Sequence, residues 1–139
     1  MNQDKRFELI ARANKIQICE MAKKILKDTN VDVIKKPIGG MIMMRFVDTA
    51  KNQAFNLGEV LITEAEVRIG DNMGYAMMMG MEFEATLAGA ILDAAVESGH
   101  PLSSEIIDLL RIEEERLKNE LQKMRSKVNT TKVDFEAMM

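Results

Sequence analysis

The sequence has few of the residues that form covalent cross-links or bind soft metals. Its 139 residues include one cysteine, one histidine and no tryptophan. A single cysteine cannot form an intrachain disulfide, which fits a reducing compartment. Cys19 lies among apolar residues of a predicted helix and is interpreted as a packed thiol, with a reactive thiol as the alternative. His100, in "SGHP", has no Ser-x-Gly elbow or acid nearby in the sequence, so it is interpreted as a turn residue.

Motifs for catalysis, nucleotide binding and membrane insertion are also missing. The chain contains no Walker loop, dinucleotide fingerprint or zinc-ligand spacing. Its charged start, "MNQDKRFELIARANK", has no apolar core of signal-peptide length, and "ATLAGAILDAAV" is too short to span a bilayer. We therefore expect a cytoplasmic protein with no catalytic, cofactor-binding or metal-binding residues of its own.

Charge is unevenly distributed along the chain, whose net charge is −3. Residues 1–58 hold eleven Lys and Arg against six Asp and Glu, whereas residues 59–100 hold one Arg against eight acids. The basic N-terminal region could bind an acidic partner or nucleotide phosphates, although two solvent-exposed faces of opposite charge also explain the pattern. Basic runs with interleaved aromatics are missing, so no nucleic-acid partner is expected.

Hydrophobic periodicity predicts a single α+β domain over residues 1–139, with helices packed on an antiparallel sheet. An apolar stripe predicts one N-terminal helix over residues 4–28. Two helices follow the sheet, and residues 128–139 carry no helical stripe and are predicted as an extended tail. The four strands of the predicted meander are 31–36, 41–48, 58–69 and 75–79, with a turn at "PIGG" between the first two.

Methionine, by contrast, is abundant: the chain has thirteen, five of them in "NMGYAMMMGM" at residues 72–81. Strand alternation places Met77 and Met79 on one face and Met78 on the other. A thioether copper(I) site would need His or Cys ligands that the stretch lacks. Because Met fills irregular gaps and suits adaptable surfaces, core packing explains the row best, and a partner interface is the second explanation. We expect these side chains to be buried, some in the core and some against a partner.

Three segments carry the pattern of a known family. "FNLGEVLITEAEVRI" at 55–69 is similar to a Phe-Asn-Leu-Gly-Glu segment followed by Thr and Val-Arg-Leu. "GYAMMMG" at 74–80 matches a Gly-x-x-x-x-x-Gly strand, and "AGAILDAA" at 88–95 matches a small-residue helix with Leu-Asp-Ala. "VNTTKVDFEAMM" at 128–139 is similar to Val-Asn-Ala-(Thr/Ser)-(Arg/Lys)-Val-Asp-Phe. In this order and spacing, the segments resemble the PhnG family, the G subunit of bacterial carbon–phosphorus lyase.

The resemblance implies a role in phosphonate catabolism within a heteromeric complex. In that family the G subunit belongs to a core complex with the H, I and J subunits. Together with H, I and L it is needed to form ribose 1-phosphonate 5-triphosphate from ATP and a phosphonate. The resemblance therefore implies that MgATP and an iron–sulfur cluster are bound by other subunits. It also implies that this chain is a subunit of a transferase and lyase system, inactive alone and prone to self-association when isolated.

The sequence departs from the family pattern in one place. Where the family has Gly-Arg-Asp-Lys-x-His-Ala-Glu, this chain has "GMEFEATL" at 80–87. The replacements for the family's Arg, Lys, His and Glu are Met81, Phe83, Ala85 and Leu87. We expect the contact made there to have become apolar in this chain.

The predicted partner interface contains residues of the family segments and residues of the methionine row. Two alternatives stay open: a free-standing homodimeric module for a small apolar or nucleotide-like ligand, and an enzyme acting alone through Glu59, Glu64 and Arg68. Gly58 is expected to permit a backbone turn in the loop that leads into the longest strand. The predicted interface residues are Phe55, Asn56, Leu57, Gly58, Glu59, Met77, Met78, Met81, Phe83, Asn129, Val133, Asp134 and Phe135.

Overall fold

The computed structural model describes the backbone of residues 1–48 and 53–138 and the side chains of residues 1–43 and 58–127. Within these ranges the fold belongs to the predicted α+β class, with four helices and one antiparallel sheet of three strands. The elements are α1 (Gln3–Arg12), α2 (Lys15–Leu26), β1 (Asp32–Asp48), β2 (Gln53–Ile69), β3 (Asn72–Met79), α3 (Phe83–Glu97) and α4 (Ser103–Met138).

The prediction of a single N-terminal helix is wrong, because the chain divides there into α1 and α2. Ala13 has extended backbone angles, and the side chain of Asn14 accepts a hydrogen bond from the backbone N–H of Gln17 at 3.1 Å. Asn2 caps α1 in the same way, through the N–H of Lys5 at 2.8 Å. Such a cap stabilises a helix start by about 1 kcal/mol. A second cap inside the apolar stripe therefore starts a new helix.

The prediction of four strands is also wrong, because the first two predicted strands form the single strand β1. The turn expected at "PIGG" is replaced by register shifts against β2, between Val33 and Lys35 and between Lys35 and Ile38. β1 lies at the edge of the order β1-β2-β3. An edge strand tolerates Pro37, since its missing N–H needs no partner on the outer side, and bulges absorb the extra residues.

The β1–β2 hairpin extends beyond β3. β3 pairs with β2 from Asn72 opposite Ile69 to Met79 opposite Ile62. β1 and β2 continue to pair past that point, as far as Asp48 opposite Gln53. We call this two-stranded extension, residues 41–48 and 53–61, the arm. The arm leaves the three-stranded body of the sheet near the point where α3 begins.

Helix α3 packs on the inner face of the sheet through small residues. A Cβ added at Gly74 on β3 would lie 2.2 Å from the carbonyl oxygen of Ala90, and one at Gly89 would lie 2.6 Å from Cγ2 of Ile10. Strand and helix are therefore closer than larger side chains would permit. The residues that the inner face buries are Thr63, Ala65, Val67 and Ile69 on β2 and Ala76 and Met78 on β3.

Helix α4 continues through most of the segment that was predicted to be an extended tail, so that prediction is wrong for residues 128–138. From Ser103 onwards the sequence has no glycine or proline, and nothing in the backbone chemistry ends the helix. Ile106 and Leu110 are fully buried, whereas the side chains of residues 121–127 are exposed. The first half of α4 therefore anchors it to the body. None of the described helices is long and apolar enough to cross a membrane.

Candidate functional site

The methionine row divides between the core and the surface. Met78 is 1 % exposed on the inner face, where it packs near Gly89. Met77 is half-buried on the outer face, while Met79 and Met81 are 69 % and 60 % exposed. The predicted alternation of the row is confirmed, and Met78 belongs to the core. Burial of the other methionines against a partner stays a prediction.

Among the described residues, exposed apolar side chains lie on the inner side of the sheet at the near end of the arm, alongside the exposed Glu59. Leu61 stands opposite Met41 in the β1–β2 register. Met81 lies close by, because a Cβ added at Gly39 would be 3.6 Å from its Sδ atom. Each member of this group is at least 39 % exposed. We call the group the inner patch: Met41, Met43, Leu61, Met81 and Phe83.

The outer side of the same region is apolar as well. Ile38, Ile42 and Met79 are 52 %, 42 % and 69 % exposed on the face opposite to α3. We call this group the outer patch: Ile38, Ile42, Val60, Met77 and Met79. The described part of this region therefore exposes apolar side chains on both faces of the sheet. Exposed apolar area of this kind marks an interaction surface in soluble proteins.

The structure assembles part of the predicted interface at this place. Gly58 and Glu59 lie on the arm and are exposed, Met81 and Phe83 lie at its base, and Met77 lies outside the arm, on β3 opposite Glu64. Met78 instead lies in the core. The predicted interface residues whose side chains lie outside the described residues are Phe55, Asn56 and Leu57 on β2 and Asn129, Val133, Asp134 and Phe135 on α4.

Gly58 occupies an irregular position within β2, not a loop before it. Its φ angle is +133°, and the register shifts beside it, between Met44 and Arg45 of β1. The shift gives β2 one extra residue, as in a β-bulge, and glycine adopts such angles without strain. The expected backbone freedom is therefore used to shape the arm.

A polar cluster lies on the outer face away from the arm. Glu64 accepts hydrogen bonds from the Lys35 ammonium and from the Tyr75 hydroxyl, the latter at 2.6 Å. The bonds from Lys35 and Tyr75 lower the pKa of Glu64, while burial and the Glu64 carboxylate raise the pKa of Tyr75 to about 12. Phe7 stacks on the Tyr75 ring with centroids 5.8 Å apart. Sequence reasoning missed this cluster, because its members lie far apart along the chain.

The residues proposed for an enzyme acting alone do not form a site. Strand alternation along β2 puts Glu59 on the inner side and Glu64 and Arg68 on the outer side. Arg68 pairs with Asp32 at 3.1 Å, and Glu64 is bound as described above. Glu64 and Arg68 are thus bound to partners within the chain, and Glu59 lies on the opposite face from both.

A buried ion cluster connects α1, α3 and β3. Nε of Arg6 donates to one oxygen of Asp93 at 2.8 Å, and Nη2 donates to Glu97. The other oxygen of Asp93 accepts the backbone N–H of Tyr75 at 3.0 Å. Burial lowers the pKa of Arg6, but its bonds to Asp93 and Glu97 outweigh burial and raise it, so the guanidinium stays charged. In the sequence, the one indication of this cluster is Asp93, the single acidic residue of "AGAILDAA", which the sequence analysis did not assign to an ion pair.

Cys19 and His100, the two candidates for nucleophilic chemistry, are held by contacts within the fold. Cys19 is half-buried on α2, where burial and the nearby Glu84 raise the pKa of its thiol. His100 lies between α3 and α4, with Nε2 2.8 Å from Oγ1 of Thr29 and Nδ1 accepting the N–H of Leu102 at 3.0 Å. These contacts agree with a packed thiol and a turn histidine.

Small-ligand and metal sites find little support among the described residues. No three His, Cys, Asp or Glu side chains there lie close enough to hold a metal ion. A cleft of about 520 Å³ between α1 and α4 is lined by charged residues such as Lys5, Glu8 and Glu114. Ligand pockets are mostly apolar with a few polar groups, so this cleft does not favour the small-ligand alternative.

Comparison with known proteins gives a family. A model of the family described as Phosphonate metabolism protein PhnG matches residues 1–139, the whole chain. The matched range includes residues 80–87, where the sequence departs from the family pattern. No curated protein matches the chain.

Proposed function

This chain belongs to the PhnG family of phosphonate metabolism proteins, and on that premise we propose that it is a non-catalytic subunit of a carbon–phosphorus lyase core complex. Its partners are the H, I and J subunits, with L required for the ATP-dependent step, in the cytoplasm. The reaction it serves is the formation of ribose 1-phosphonate 5-triphosphate from ATP and a phosphonate. MgATP and the iron–sulfur cluster are bound by the other subunits.

The observation that carries this proposal is the apolar surface on both sides of the arm. The inner and outer patches together hold ten apolar residues, of which Met41, Met79 and Met81 are 60 % exposed or more. Burying a side chain of this size is worth about 1.5–3 kcal/mol. A partner that covers both faces of the arm would gain a large part of its binding free energy there.

The altered segment at 80–87 supports contact with protein at the base of the arm. Met81 and Phe83 stand where the family pattern has Arg and Lys; both side chains are exposed, and that of Met81 lies close to Gly39 of β1. Apolar side chains cannot pair with phosphate oxygens. Met81, close to Gly39, extends the apolar surface offered to a protein partner.

The non-catalytic role is supported by the state of the polar side chains. Glu64, Arg68, Asp93 and His100 each bind a partner within the chain. General acid–base catalysis needs a titratable group within reach of a substrate proton. These residues instead hold strands and helices together.

Co-expression with the H, I and J subunits tests the proposal. We expect a stable complex on size-exclusion chromatography, and consumption of ATP with methylphosphonate by the full set of subunits including L. The matched control omits this chain and should lose both. The isolated chain should consume neither substrate in the presence of MgATP.

Two results would contradict the proposal. Turnover by the pure chain would make it an enzyme in its own right. Failure to associate with any of the subunits would leave the homodimeric ligand-binding module as the better explanation, and a stable dimer that binds an apolar or nucleotide-like ligand would establish that alternative.

A further inference from the structure

β1 presents one backbone edge to solvent. In the sheet order β1-β2-β3 it pairs with β2 on one side, and no described strand lies on its other side. The unpaired N–H and C=O groups of such an edge can template a strand from another chain. The register of the sheet determines which residues of β1 offer these groups.

The direction of the backbone groups follows from one hydrogen bond at the end of β3. The N–H of Gly80 donates to the carbonyl oxygen of Leu61 at 2.8 Å. Leu61 therefore directs its backbone polar groups toward β3. Because these groups alternate between the two sides of an antiparallel strand, those of Val60 and Ile62 point toward β1.

The β1–β2 register then shows which β1 residues direct their backbone N–H and C=O groups toward β2 and which direct them away. Ile62 and Val60 stand opposite Gly40 and Ile42, so these two β1 residues bind β2 through their backbone. The intervening residues Gly39, Met41 and Met43 turn their N–H and C=O groups away from β2, to the open edge.

The two halves of this edge differ in how they resist pairing. The first half carries Lys35, Lys36, Pro37 and two register shifts, which are devices that keep other strands away from an edge. The second half, "IGGMIM" at 38–43, has no charge and no proline, and its pairing with β2 is regular. An unprotected half beside a protected half indicates an edge that is kept open for a specific strand.

We propose that the edge of β1 at residues 38–43 binds an extended segment of a partner subunit, which adds a fourth strand to the sheet. This inference rests on the proposed function and specifies how the partner is recognised. The added strand would gain backbone hydrogen bonds from Gly39, Met41 and Met43, and its alternate side chains would lie against the inner and outer patches.

The charges beside this edge specify the chemistry of the added strand. Lys36 is exposed and forms no ion pair with any described side chain. A partner segment that is uncharged along residues 38–43 and carries a carboxylate next to Lys36 is therefore complementary. A second copy of the chain would not supply this carboxylate, because antiparallel pairing of two β1 strands centred on this run sets Lys36 near residues 44–46, which include no Asp or Glu.

Amide hydrogen exchange at single-residue resolution tests the inference, with the isolated chain compared with its complex with the H, I and J subunits. In the isolated chain the amides of Gly39, Met41 and Met43 should exchange fast, and those of Gly40 and Ile42 slowly. In the complex the first three should slow by roughly 10- to 100-fold, as expected when an open backbone group becomes hydrogen-bonded in a stable ladder, while Gly40 and Ile42 should change little.

The exchange rates of these amides distinguish failure of strand addition from failure of the proposed function. A complex in which Gly39, Met41 and Met43 exchange as fast as in the isolated chain overturns strand addition and leaves the proposed function in place. The absence of a complex overturns the proposed function, and this inference with it. Slow exchange of the three amides in the isolated chain, dependent on its concentration, would assign the edge to a second copy and overturn the hetero-partner.

A pair of variants separates backbone bonding from side-chain contact. Met41→Pro removes an outward N–H without removing a bond to β2, and edge strands tolerate proline there. Met41→Ala removes the same side chain and keeps the N–H. Strand addition predicts at least a tenfold weaker affinity for the complex with Met41→Pro than with Met41→Ala, while both isolated variants keep the circular dichroism of the parent. Equal affinities would overturn the inference.

Discussion

At the residue scale, Asp93 gives the clearest case of a side chain whose role depends on burial. It is 2 % exposed within the small-residue helix α3, and its two oxygens bind Arg6 and the backbone N–H of Tyr75. Removing one member of a buried ion pair leaves the other charged and without compensation. The family string "AGAILDAA" is therefore explained by packing and by this clamp, with no catalytic role for its acid.

Asp93→Asn keeps the shape of the side chain and removes its charge. We expect it to lower the free energy of unfolding by about 3–5 kcal/mol, the range for breaking a buried pair. Urea unfolding followed by circular dichroism measures the loss. Glu97→Gln is the matched control and should cost less, because the Glu97 side chain is 37 % exposed and water can replace its bond to Arg6. Equal losses for the two variants would contradict a clamp centred on Asp93.

Tyr75 offers a clean test of the outer polar cluster, since it is the only tyrosine in the chain and tryptophan is absent. Its pKa is raised to about 12 by burial and by Glu64. A group with a raised folded-state pKa contributes stability that is present below its ordinary value of about 10 and is lost as the pH rises through the folded value. Tyrosinate absorbance should therefore titrate near 12 in the folded chain and near 10 in urea.

Glu64→Gln checks the assigned cause of this shift. Without the carboxylate the tyrosinate midpoint should move toward 10, the ordinary value. Arg68→Gln alters another charge of the same face, where Arg68 pairs with Asp32, and should change the midpoint less. An unchanged midpoint in Glu64→Gln would show that burial alone sets the pKa of Tyr75.

At the element scale, β3 shows how one strand serves two surfaces. Met78 and Met79 are neighbours with the same chemistry, yet one is 1 % and the other 69 % exposed. The inner face packs on α3, while Met79 lies on the opposite face, where it is exposed. Alternation along the strand thus converts two identical side chains into a core residue and a surface residue.

Truncation of each methionine should separate core from interface. Met78→Ala is expected to lower the free energy of unfolding by about 2–5 kcal/mol through the lost contacts and the cavity. Met79→Ala should leave stability within about 0.5 kcal/mol of the parent and weaken capture by the H, I and J subunits. Thermal unfolding and pull-down from co-expressing cells measure the two effects. A loss of stability without a loss of capture for Met79→Ala would place it in the core of the folded chain.

At the scale of the whole molecule, the protein has a well-packed body and an uncovered arm. The body is built from α1, α2, the first half of α4, and α3 against the inner face of the sheet. The arm extends the β1–β2 hairpin past β3, and the two apolar patches lie on its near end and on the adjoining residues of β1, β3 and the start of α3. A subunit of this shape is stable as a fold while its surface is incomplete without a partner.

We therefore expect the isolated chain to self-associate through apolar contact. Sedimentation velocity should show larger species as concentration rises, with little dependence on salt, because screening acts on charges and not on apolar burial. Lys replacements at Met79 and Met81 should restore the monomer, whereas Lys at the exposed helical position Ile112 should not. Association that salt abolishes would point instead to the uneven charge of the two halves of the chain.

Patterns in the sequence were enough to predict the α+β class, the alternation of the methionine row and the family. Each of these rests on local periodicity or on motif spacing, which a sequence displays directly. The N-terminal helix, the strand count and the C-terminal tail were predicted wrongly. There the outcome depended on a cap at Asn14, on the edge position of Pro37 and on a long helix without a breaker.

The tertiary structure alone decided which apolar residues are covered and which polar residues meet. Met78 and Met79 are equivalent in sequence, and their difference arises because α3 packs on the face that carries Met78 and not on the face that carries Met79. The Arg6–Asp93 pair and the Glu64–Tyr75 bond join residues that are 87 and 11 positions apart. Such contacts depend on how elements pack in space, and no local pattern along the chain specifies them.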